Sequence, residues 1–460
     1  MQFSTKPYSL ITFAALATAA CGEDGPFLND DLAAALEQAG GEASFLLPEE
    51  TDLANIPADP ANPLTAEKVE LGQLLYHETG LATAPNDESR MGTYSCASCH
   101  HAAAGFKAGV PQGIADGGEG FGTVGEGRLL RFGLDGTAPA MSPLRPDIQP
   151  VASPTTLNVA FQDVMLWNGQ FGNASNSAIN DGLPPEVLAT PGTPKAQNTR
   201  GLSGVEIQAV AGLGVHRLEV DNGSVLQTNG EYAALFADAF PSSTDTLEDA
   251  AKAIAAFERT LITNRAPFQR WLRGDRTAMN RQELRGAILF FGKANCSSCH
   301  TGPALSSRPG VGADEVFMAI GFNDLDVTDP RVHGVVGDAD SRGRGGFTRR
   351  PEDDYKFKIP SLYNLADAPF YGHGASFNSI REVVEYKNAG VAQKNIPSEK
   401  LDSRFRPLGL TDDEVNDLTS FLESGLHDGE LDRYVPDALP TGNCFPNADS
   451  LSLNDLGCGN

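Results

Sequence analysis

Apolar residues recur at helical spacing in several parts of the chain. One apolar stripe follows Thr246, whose hydroxyl can cap the first turn of a helix. The members of this stripe are Leu247, Ala250, Ile254, Phe257 and Leu261. A shorter apolar face, formed by Leu71, Leu74 and Leu75, predicts another helix around residues 71–76.

Two further helices have clear start signals. Asn280 with Glu283, and Thr411 with Glu414, have the spacing of a capping box, in which each side chain bonds the backbone of the other residue. The second of these helices carries the apolar residues Val415, Leu418 and Leu422. Gly425 is well suited to end it.

Strand patterns are sparse. Residues 105–136 are rich in glycine, which indicates a long loop, and residues 169–200 form a second irregular segment. The sequence therefore predicts a mainly α fold with long loops and little strand.

The pattern Cys-x-x-Cys-His occurs twice and indicates covalent attachment of two c-type haems. The first copy is Cys96, Cys99 and His100, and the second is Cys296, Cys299 and His300. The thiols of each pair can add to the two vinyl groups of one haem, and the adjacent histidine can bind its iron. Zinc, a redox pair or a disulfide would not require the histidine twice.

A weak internal repeat supports two related haem domains. Residues 72–76 resemble residues 286–290, and each stretch precedes one attachment motif. We predict two cytochrome c-like domains, at residues 61–243 and 244–430, with two loop insertions in the first.

The charge of the chain limits its partners. The 460 residues have a formal net charge of −26, which disfavours binding to nucleic acid and to anionic membrane surfaces. The acidity suits a small basic electron donor, and solubility alone explains it equally well.

Both ends of the chain indicate export. Lys6 and the apolar run of residues 10–20 predict a signal peptide over residues 1–20. Cleavage before Cys21 would leave a lipid on that cysteine, and ordinary cleavage is the alternative. Residues 21–60 are acidic, and we predict that they form a tether. We predict that residues 431–460 form a C-terminal tail. Cys444 and Cys458 remain to form a disulfide there, consistent with a periplasmic lipoprotein.

Several segments together resemble the bacterial di-haem cytochrome c peroxidases, a superfamily that includes MauG. The resemblance covers about residues 60–426. Its segments besides the two attachment motifs are residues 154–158, 166–169, 256–261, 285–293, 360–364, 371–373, 382–384 and 407–411.

The resemblance implies that peroxide reacts at the first haem and that electrons enter at the second. Trp167 matches a tryptophan between the haems, and Gln208 with Glu219 matches the distal acid-base group. Glu206 and His216 are rivals of Glu219. The chain has no histidine between His101 and His216, so the first haem is expected to be open at rest, as in MauG-like members.

The resemblance also implies a sixth ligand for the second haem, methionine or tyrosine in the family. Lys387 occupies the matching place, with Tyr386 beside it and Met318 as a third candidate. His373 is expected to support the haem without binding iron. The family's interdomain calcium is doubtful here, because Ala152 stands near the place of a ligating asparagine.

Three functions follow from these residues. The favoured one is reduction of hydrogen peroxide to water, with electrons from a small exported cytochrome c or cupredoxin. The alternatives are a MauG-like oxidase that modifies Trp or Tyr of a partner protein, and an electron carrier without catalysis. Family peroxidases are often dimers, so a homodimer is an expectation from the resemblance.

Overall fold

The computed structural model describes residues 27–130, 146–172, 178–221 and 223–458. The predicted signal peptide and Cys21 lie outside these ranges. The α-helices of the described residues are α1 (Leu28–Gln38), α2 (Ala66–His77), α3 (Pro185–Leu188), α4 (Gly204–Val215), α5 (Val225–Thr228), α6 (Gly230–Ala239), α7 (Thr246–Thr260), α8 (Pro267–Leu272), α9 (Arg281–Phe291), α10 (Ala313–Val316), α11 (Asp338–Ser341), α12 (Arg344–Thr348), α13 (Ile380–Ala389), α14 (Asp412–Ser420) and α15 (Ser450–Asp455).

Strands contribute little to this fold. β1 (Gly118–Glu119) pairs antiparallel with β2 (Leu129–Leu130), and β3 (Phe317–Met318) pairs antiparallel with β4 (Phe357–Lys358). The prediction of a mainly α fold with long loops is confirmed. Among the described residues, no helix is both long enough and apolar enough to cross a bilayer.

The helix starts follow the capping signals of the sequence. Asn280 with Glu283 caps α9, and Thr411 with Glu414 caps α14, each as a complete capping box. Helix α7 is capped by Asp245, whose side chain accepts a hydrogen bond from the Glu248 N–H at 3.0 Å. The capping residue is therefore Asp245, one residue before the predicted cap Thr246. Helix α14 continues as one π-helical turn to the predicted end, at residues 421–425.

Two hydrophobic cores lie side by side, and one pair of crossing helices forms the centre of each. Helices α2 and α7 cross in the first core, and α9 and α14 cross in the second. A Cβ added to Gly72 would lie 1.9 Å from the carbonyl oxygen of Ala253, and one added to Gly286 would lie 2.0 Å from that of Asp417. These glycines are matching positions of the sequence repeat, which therefore reflects two equivalent helix crossings.

Residues 27–60 are a folded part of the second core, so the predicted tether is wrong over its described part. Leu32 and Leu36 of α1 are fully buried there, and Asn29 accepts a hydrogen bond from the Trp271 indole at 2.7 Å. Because the leucines lie one helical turn apart, they share one face and leave Asp30 and Asp31 in the first turn outside the buried set. The acidic composition concealed this amphipathic pattern.

The division between the cores also differs from the predicted boundary at residues 243 and 244. Helix α7 packs against α2 and α4 in the first core, together with Leu261, whereas Ile262 already belongs to the second core. The tail then returns to the first core, where Leu431 and Tyr434 are buried. Each core is therefore assembled from segments far apart in the chain.

The C-terminal tail covers the first attachment motif. Cys444 and Cys458 form a disulfide, as the cysteine count predicts. The hydroxyls of Ser95 and Ser98 donate hydrogen bonds to the carbonyl oxygen of Pro446, at 2.9 and 3.2 Å. The tail is thus fastened to the turn that carries the first cysteine pair.

Candidate functional site

Each attachment motif forms the same local structure. A short 3-10 helix, at Cys96–Ser98 and at Cys296–Ser298, brings the two cysteines of each motif to one turn. All four of these cysteines are free thiols. Two free thiols and a histidine on one turn are the donor set that covalent haem attachment requires.

The two motif histidines are oriented by the backbone. His100 Nδ1 lies 3.3 Å from the carbonyl oxygen of Phe106, and His300 Nδ1 lies 2.8 Å from that of Leu305. These bonds leave Nε2 of each ring available for iron. Burial lowers the pKa of both histidines to about 4, so each imidazole is neutral, as a metal ligand must be.

A cavity adjoins each motif, and the two cavities share a wall. Their volumes are about 250 Å³ at the first motif and about 200 Å³ at the second, and both are lined mainly by apolar surface. The residues that line both cavities are Pro154, Thr155, Gln162, Trp167, Phe357 and Lys358. The thiols, the histidines and the apolar walls fit a haem at each motif, with Trp167 between the two.

Trp167 is held firmly in the shared wall. Its indole Nε1–H donates to the carbonyl oxygen of Ala152 at 2.8 Å, and its own carbonyl oxygen accepts from the Lys358 N–H at 2.8 Å. The ring of His373 lies 6.2 Å from the Trp167 ring and stacks at 3.6 Å on Phe357. Trp167 therefore lies in the wall shared by the two cavities, and its role between the haems stays a prediction.

Glu219 does not reach the first cavity. Its side chain is exposed, and its backbone N–H donates to the carbonyl oxygen of Leu81 at 2.7 Å, on the turn that follows α4. The residues that line the first cavity do not include it. Glu219 therefore lies outside the lining of this cavity, and its distal role stays a prediction from the resemblance.

Gln208 and His216 do line the first cavity, together with His100. Gln208, Gly212 and His216 are four residues apart along α4 and its C-terminal cap, so they share one face. His216 Nδ1 lies 2.5 Å from the carboxylate of Asp147. Burial lowers the pKa of His216, but the charge and hydrogen bond of Asp147 outweigh burial and raise it.

Glu206, the other rival, has a structural role. It is fully buried, and the Arg259 guanidinium bonds both of its carboxylate oxygens, at 2.9 and 2.6 Å. The amide of Asn62 adds a third bond at 3.2 Å. Glu206 therefore joins α4 to α7 and does not line the cavity.

Sequence reasoning missed Glu258, a buried carboxyl that lines the first cavity. Burial and the charge of Glu206 raise its pKa to about 8, against a smaller opposing effect of Arg259. Glu258 therefore stays largely protonated at neutral pH. It lies within residues 256–261, one of the segments that carry the family resemblance, and that was the available signal.

Tyr386 and Lys387 face different surroundings. The Tyr386 hydroxyl donates to the carbonyl oxygen of Ile320, and its ring stacks against Phe405, outside the cavity lining. Tyr386 is therefore engaged outside the second cavity, and its role as an iron ligand stays a prediction. Lys387 lines the second cavity with His300, and within the described residues no carboxylate or hydrogen-bond acceptor contacts its ammonium group.

Met318 also lines the second cavity, but its sulfur is already engaged. The Met318 Sδ accepts from an Arg404 Nη2 at 2.6 Å. Lys387 is thus the free donor of the three candidates.

The acidic loop of residues 324–329 does not form a shared cation site. Asp324 contacts Lys394 Nζ at 2.7 Å and His373 Nε2 at 3.2 Å, Asp326 accepts from Thr328, and Asp329 pairs with Arg331. Within the described ranges, no group of three His, Cys, Asp or Glu side chains has the arrangement of a metal site.

The paired motifs, the shared tryptophan and the mainly helical double core are the features expected of a di-haem c-type cytochrome. The sequence profile of the family "Di-haem cytochrome c peroxidase" matches residues 66–277. The chain is thus similar to the di-haem cytochrome c peroxidases and MauG.

Known cytochrome-c peroxidases and MauG proteins both match most of the chain. The cytochrome-c peroxidase IdrP1 of Denitromonas iodatirespirans is 28% identical over 409 residues, which cover 85% of this chain and 89% of that protein. The methylamine utilization protein MauG of Methylorubrum extorquens is 29% identical over 389 residues, with 83% of each chain covered.

A solved structure has the same fold. It is a MauG-like protein associated with microbial copper homeostasis, with a TM-score of 0.56 and 22% sequence identity. The match covers 84% of this chain and 95% of that one.

Proposed function

We propose that this protein is an exported di-haem peroxidase that reduces hydrogen peroxide to water. The observation that carries the proposal is the set of polar side chains around the first cavity, where Gln208 and the His216–Asp147 pair face the space above the turn of His100. The reaction consumes H₂O₂, two electrons and two protons and yields two H₂O. When bound, the haems would supply redox-active iron at both sites.

His216 performs the proton transfer in this proposal. Because Asp147 holds Nδ1, the other ring nitrogen is available to take a proton from one oxygen of peroxide and deliver it to the other. The amide of Gln208 orients peroxide in the same cavity. Glu258, a protonated carboxyl in that lining, supplies a further proton.

Electrons enter at the second site. The first attachment turn is enclosed, with Cys99 and Ser98 only 9% and 4% exposed, whereas Cys299 and Ser298 of the second turn are more open to solvent. A small donor such as a cytochrome c or a cupredoxin therefore has access to the second haem edge. Trp167 provides the group through which charge passes from one site to the other.

Lys387, with His300, would hold the iron of the second haem in this proposal. Its side chain lines the cavity with His300 and has no competing polar partner among the described residues. A lysine amine binds iron only in its neutral form, which an apolar cavity favours over the ammonium form. Bound in this way, Lys387 replaces the methionine or tyrosine of the family.

The site of action is the periplasm. The Cys444–Cys458 disulfide requires an oxidising compartment, and haem attachment in bacteria takes place outside the inner membrane. A lipid on Cys21 would then tether the protein to a membrane. A homodimer remains an expectation of the family resemblance.

A MauG-like oxidase is the second candidate. The absence of any histidine between His101 and His216 favours it, since the first iron would then have no capping ligand from the loop that follows its motif. The match to a MauG protein at 29% identity supports the same alternative. Such an enzyme would use peroxide to oxidise Trp or Tyr of a partner protein.

Electron paramagnetic resonance of the ferric protein, with a parallel peroxide titration, tests the proposal. We expect one high-spin and one low-spin iron, with the high-spin signal responding first to peroxide. Two low-spin irons that do not respond to peroxide in any redox state would leave only the electron carrier. Turnover with a reduced cytochrome c or cupredoxin then separates the peroxidase from the oxidase, which would consume peroxide without oxidising the donor.

A further inference from the structure

Three lysines line the second cavity, and no Asp or Glu does. They are Lys107, Lys358 and Lys387. Within the described residues, none of the three forms an ion pair with a carboxylate. A buried ammonium group without a counter-ion is costly, so a cluster of such groups indicates that an anion belongs in the same space.

Lys358 is the most constrained of the three. It is 8% exposed and lies in β4, where its N–H bonds the carbonyl oxygen of Trp167 at 2.8 Å. Its Nζ donates to the side-chain oxygen of Gln162. An ammonium group has three donors, so two remain for a ligand. Because Lys358 and Gln162 line both cavities, a single cation is available to both sites.

Lys107 lies on the second cavity alone. Its Nζ donates to the carbonyl oxygen of Phe370 at 3.1 Å, with the ring of Tyr371 at 6.0 Å. Burial is the one cause that lowers the pKa of Lys107, and likewise of Lys358, to about 8. An anion bound beside each lysine would stabilise its ammonium form and so raise its pKa again.

The three lysines divide between two ends of the cavity. Lys387 lies near Cys296 and Cys299, at the attachment end. Lys107 instead lies beside Phe370 and Tyr371, and Lys358 lies in the wall shared with the first cavity. A haem attached through its vinyl groups carries both propionate carboxylates on the opposite edge of the ring. The lysines remote from the cysteines therefore suit the carboxylates.

We propose that Lys107 and Lys358 bind the propionate carboxylates of the second haem and that Lys358 also faces those of the first. Lys358 then supplies a positive charge that is shared by both sites. The inference rests on the proposed function to the extent that it requires both haems. The proposal assigns a group of lysines that binds haem carboxylates and is shared by the two redox centres.

Replacing Lys358 by Met tests the proposal through the two midpoint potentials. A nearby cation favours the reduced state of a haem, so K358M is expected to lower both potentials. A tenfold change in the ratio of reduced to oxidised haem corresponds to about 59 mV for a one-electron couple, and we expect a shift of about that size. K358R keeps the charge and is expected to have the wild-type potentials. K107M is expected to lower the potential of the second haem alone.

The matched control is Lys356→Met, because Lys356 lies two residues away, pairs with Asp353 and Asp314, and does not line either cavity. Equal potentials in K358M and K356M would overturn the proposal, as would a shift of one potential only in K358M. If K358M fails to fold, K358Q, which also removes the charge, and K107M decide in the same way.

Haem content separates this inference from the proposed function. A pyridine haemochrome assay of the wild-type protein should give two haems per chain. Fewer than two would overturn the proposed function itself, whereas two haems with unshifted potentials in K358M would overturn only the role of Lys358.

Discussion

His216 and Asp147 form a hydrogen-bonded pair beside the first cavity, with Nδ1 and the carboxylate oxygen 2.5 Å apart. The pair joins the C-terminal end of α4 to residues 146–150, of which Gln149 and Pro150 line the cavity. Such a carboxylate fixes the orientation of the ring and stabilises its protonated form. The acid-base group is therefore held in place before any substrate arrives.

Removing this histidine should abolish most of the peroxidase activity. General acid-base catalysis typically contributes about 10²- to 10⁴-fold to a rate, so H216A is expected to lower kcat by that factor. Asp147→Asn should have a smaller effect in the same direction. The measurement is steady-state peroxide reduction with a reduced donor protein.

The control for H216A is Glu219→Gln, an exposed residue of the same segment. We expect E219Q to keep the wild-type rate. A large loss in E219Q together with wild-type activity in H216A would assign the distal role to Glu219 after all.

Lys387→Ala should change the spin state of the second iron. Loss of the sixth ligand converts a low-spin iron to a high-spin one, which electron paramagnetic resonance detects directly. Tyr386→Phe is the matched control, because Tyr386 bonds the Ile320 carbonyl oxygen outside the cavity. Low-spin signals that are unchanged in K387A but lost in Met318→Leu would assign the ligand to Met318.

Trp167→Phe should slow the transfer of charge between the sites. The substitution keeps a ring in the shared wall but removes the hydrogen bond to Ala152 and the more easily oxidised indole. We expect donor-dependent turnover to fall, while the first reaction of peroxide with fully reduced protein stays fast. Stopped-flow absorbance separates these two rates, and equal turnover in W167F would mean that charge takes another route.

Gly72→Ala should destabilise the first core strongly. The added Cβ would lie 1.9 Å from the Ala253 carbonyl oxygen, so α2 and α7 would have to separate. Overpacking of this kind costs about 1–3 kcal/mol or more. Gly214→Ala in α4 is the control, since nothing lies within 4 Å of its added Cβ. Urea unfolding curves that are equal for G72A and G214A would contradict the close crossing.

Glu258 should make the free energy of unfolding depend on pH. Burial and Glu206 raise its pKa from 4.5 to about 8, so the folded protein keeps a proton that the unfolded chain releases. This contribution is present in full below about pH 4.5 and is lost as the pH rises toward 8. Glu258→Gln should therefore lose less stability over that window than the wild type, and E219Q should behave like the wild type.

Local signals of the sequence predicted local structure well. The attachment motifs and the capping boxes of α9 and α14 depend on residues within four or five positions of each other, and the structure contains them as expected. The tether was wrong because the acidic composition of residues 21–60 hid two leucines one helical turn apart. The packing partner of Leu32 and Leu36, α9, lies about 250 residues further along.

The residues around the haem sites were harder to predict, because the direction of each side chain decides whether it lines a cavity. Tyr386 and Lys387 are neighbours on α13, where successive side chains point about 100° apart, so one position decides which of them lines the cavity. Gln208 and His216 could have been paired from their helical spacing. The partner of His216, Asp147, lies 69 residues earlier in the chain, and no pattern in the sequence links the two.

The C-terminal tail has a consequence for the order in which the protein matures. Pro446 holds Ser95 and Ser98 at the first cysteine pair, and the disulfide closes the tail only after Cys458 has been synthesised. The maturation enzymes that add haem need access to this turn. We therefore expect haem insertion at the first site to precede oxidation of the tail, so that premature disulfide formation would yield a protein loaded at the second site alone.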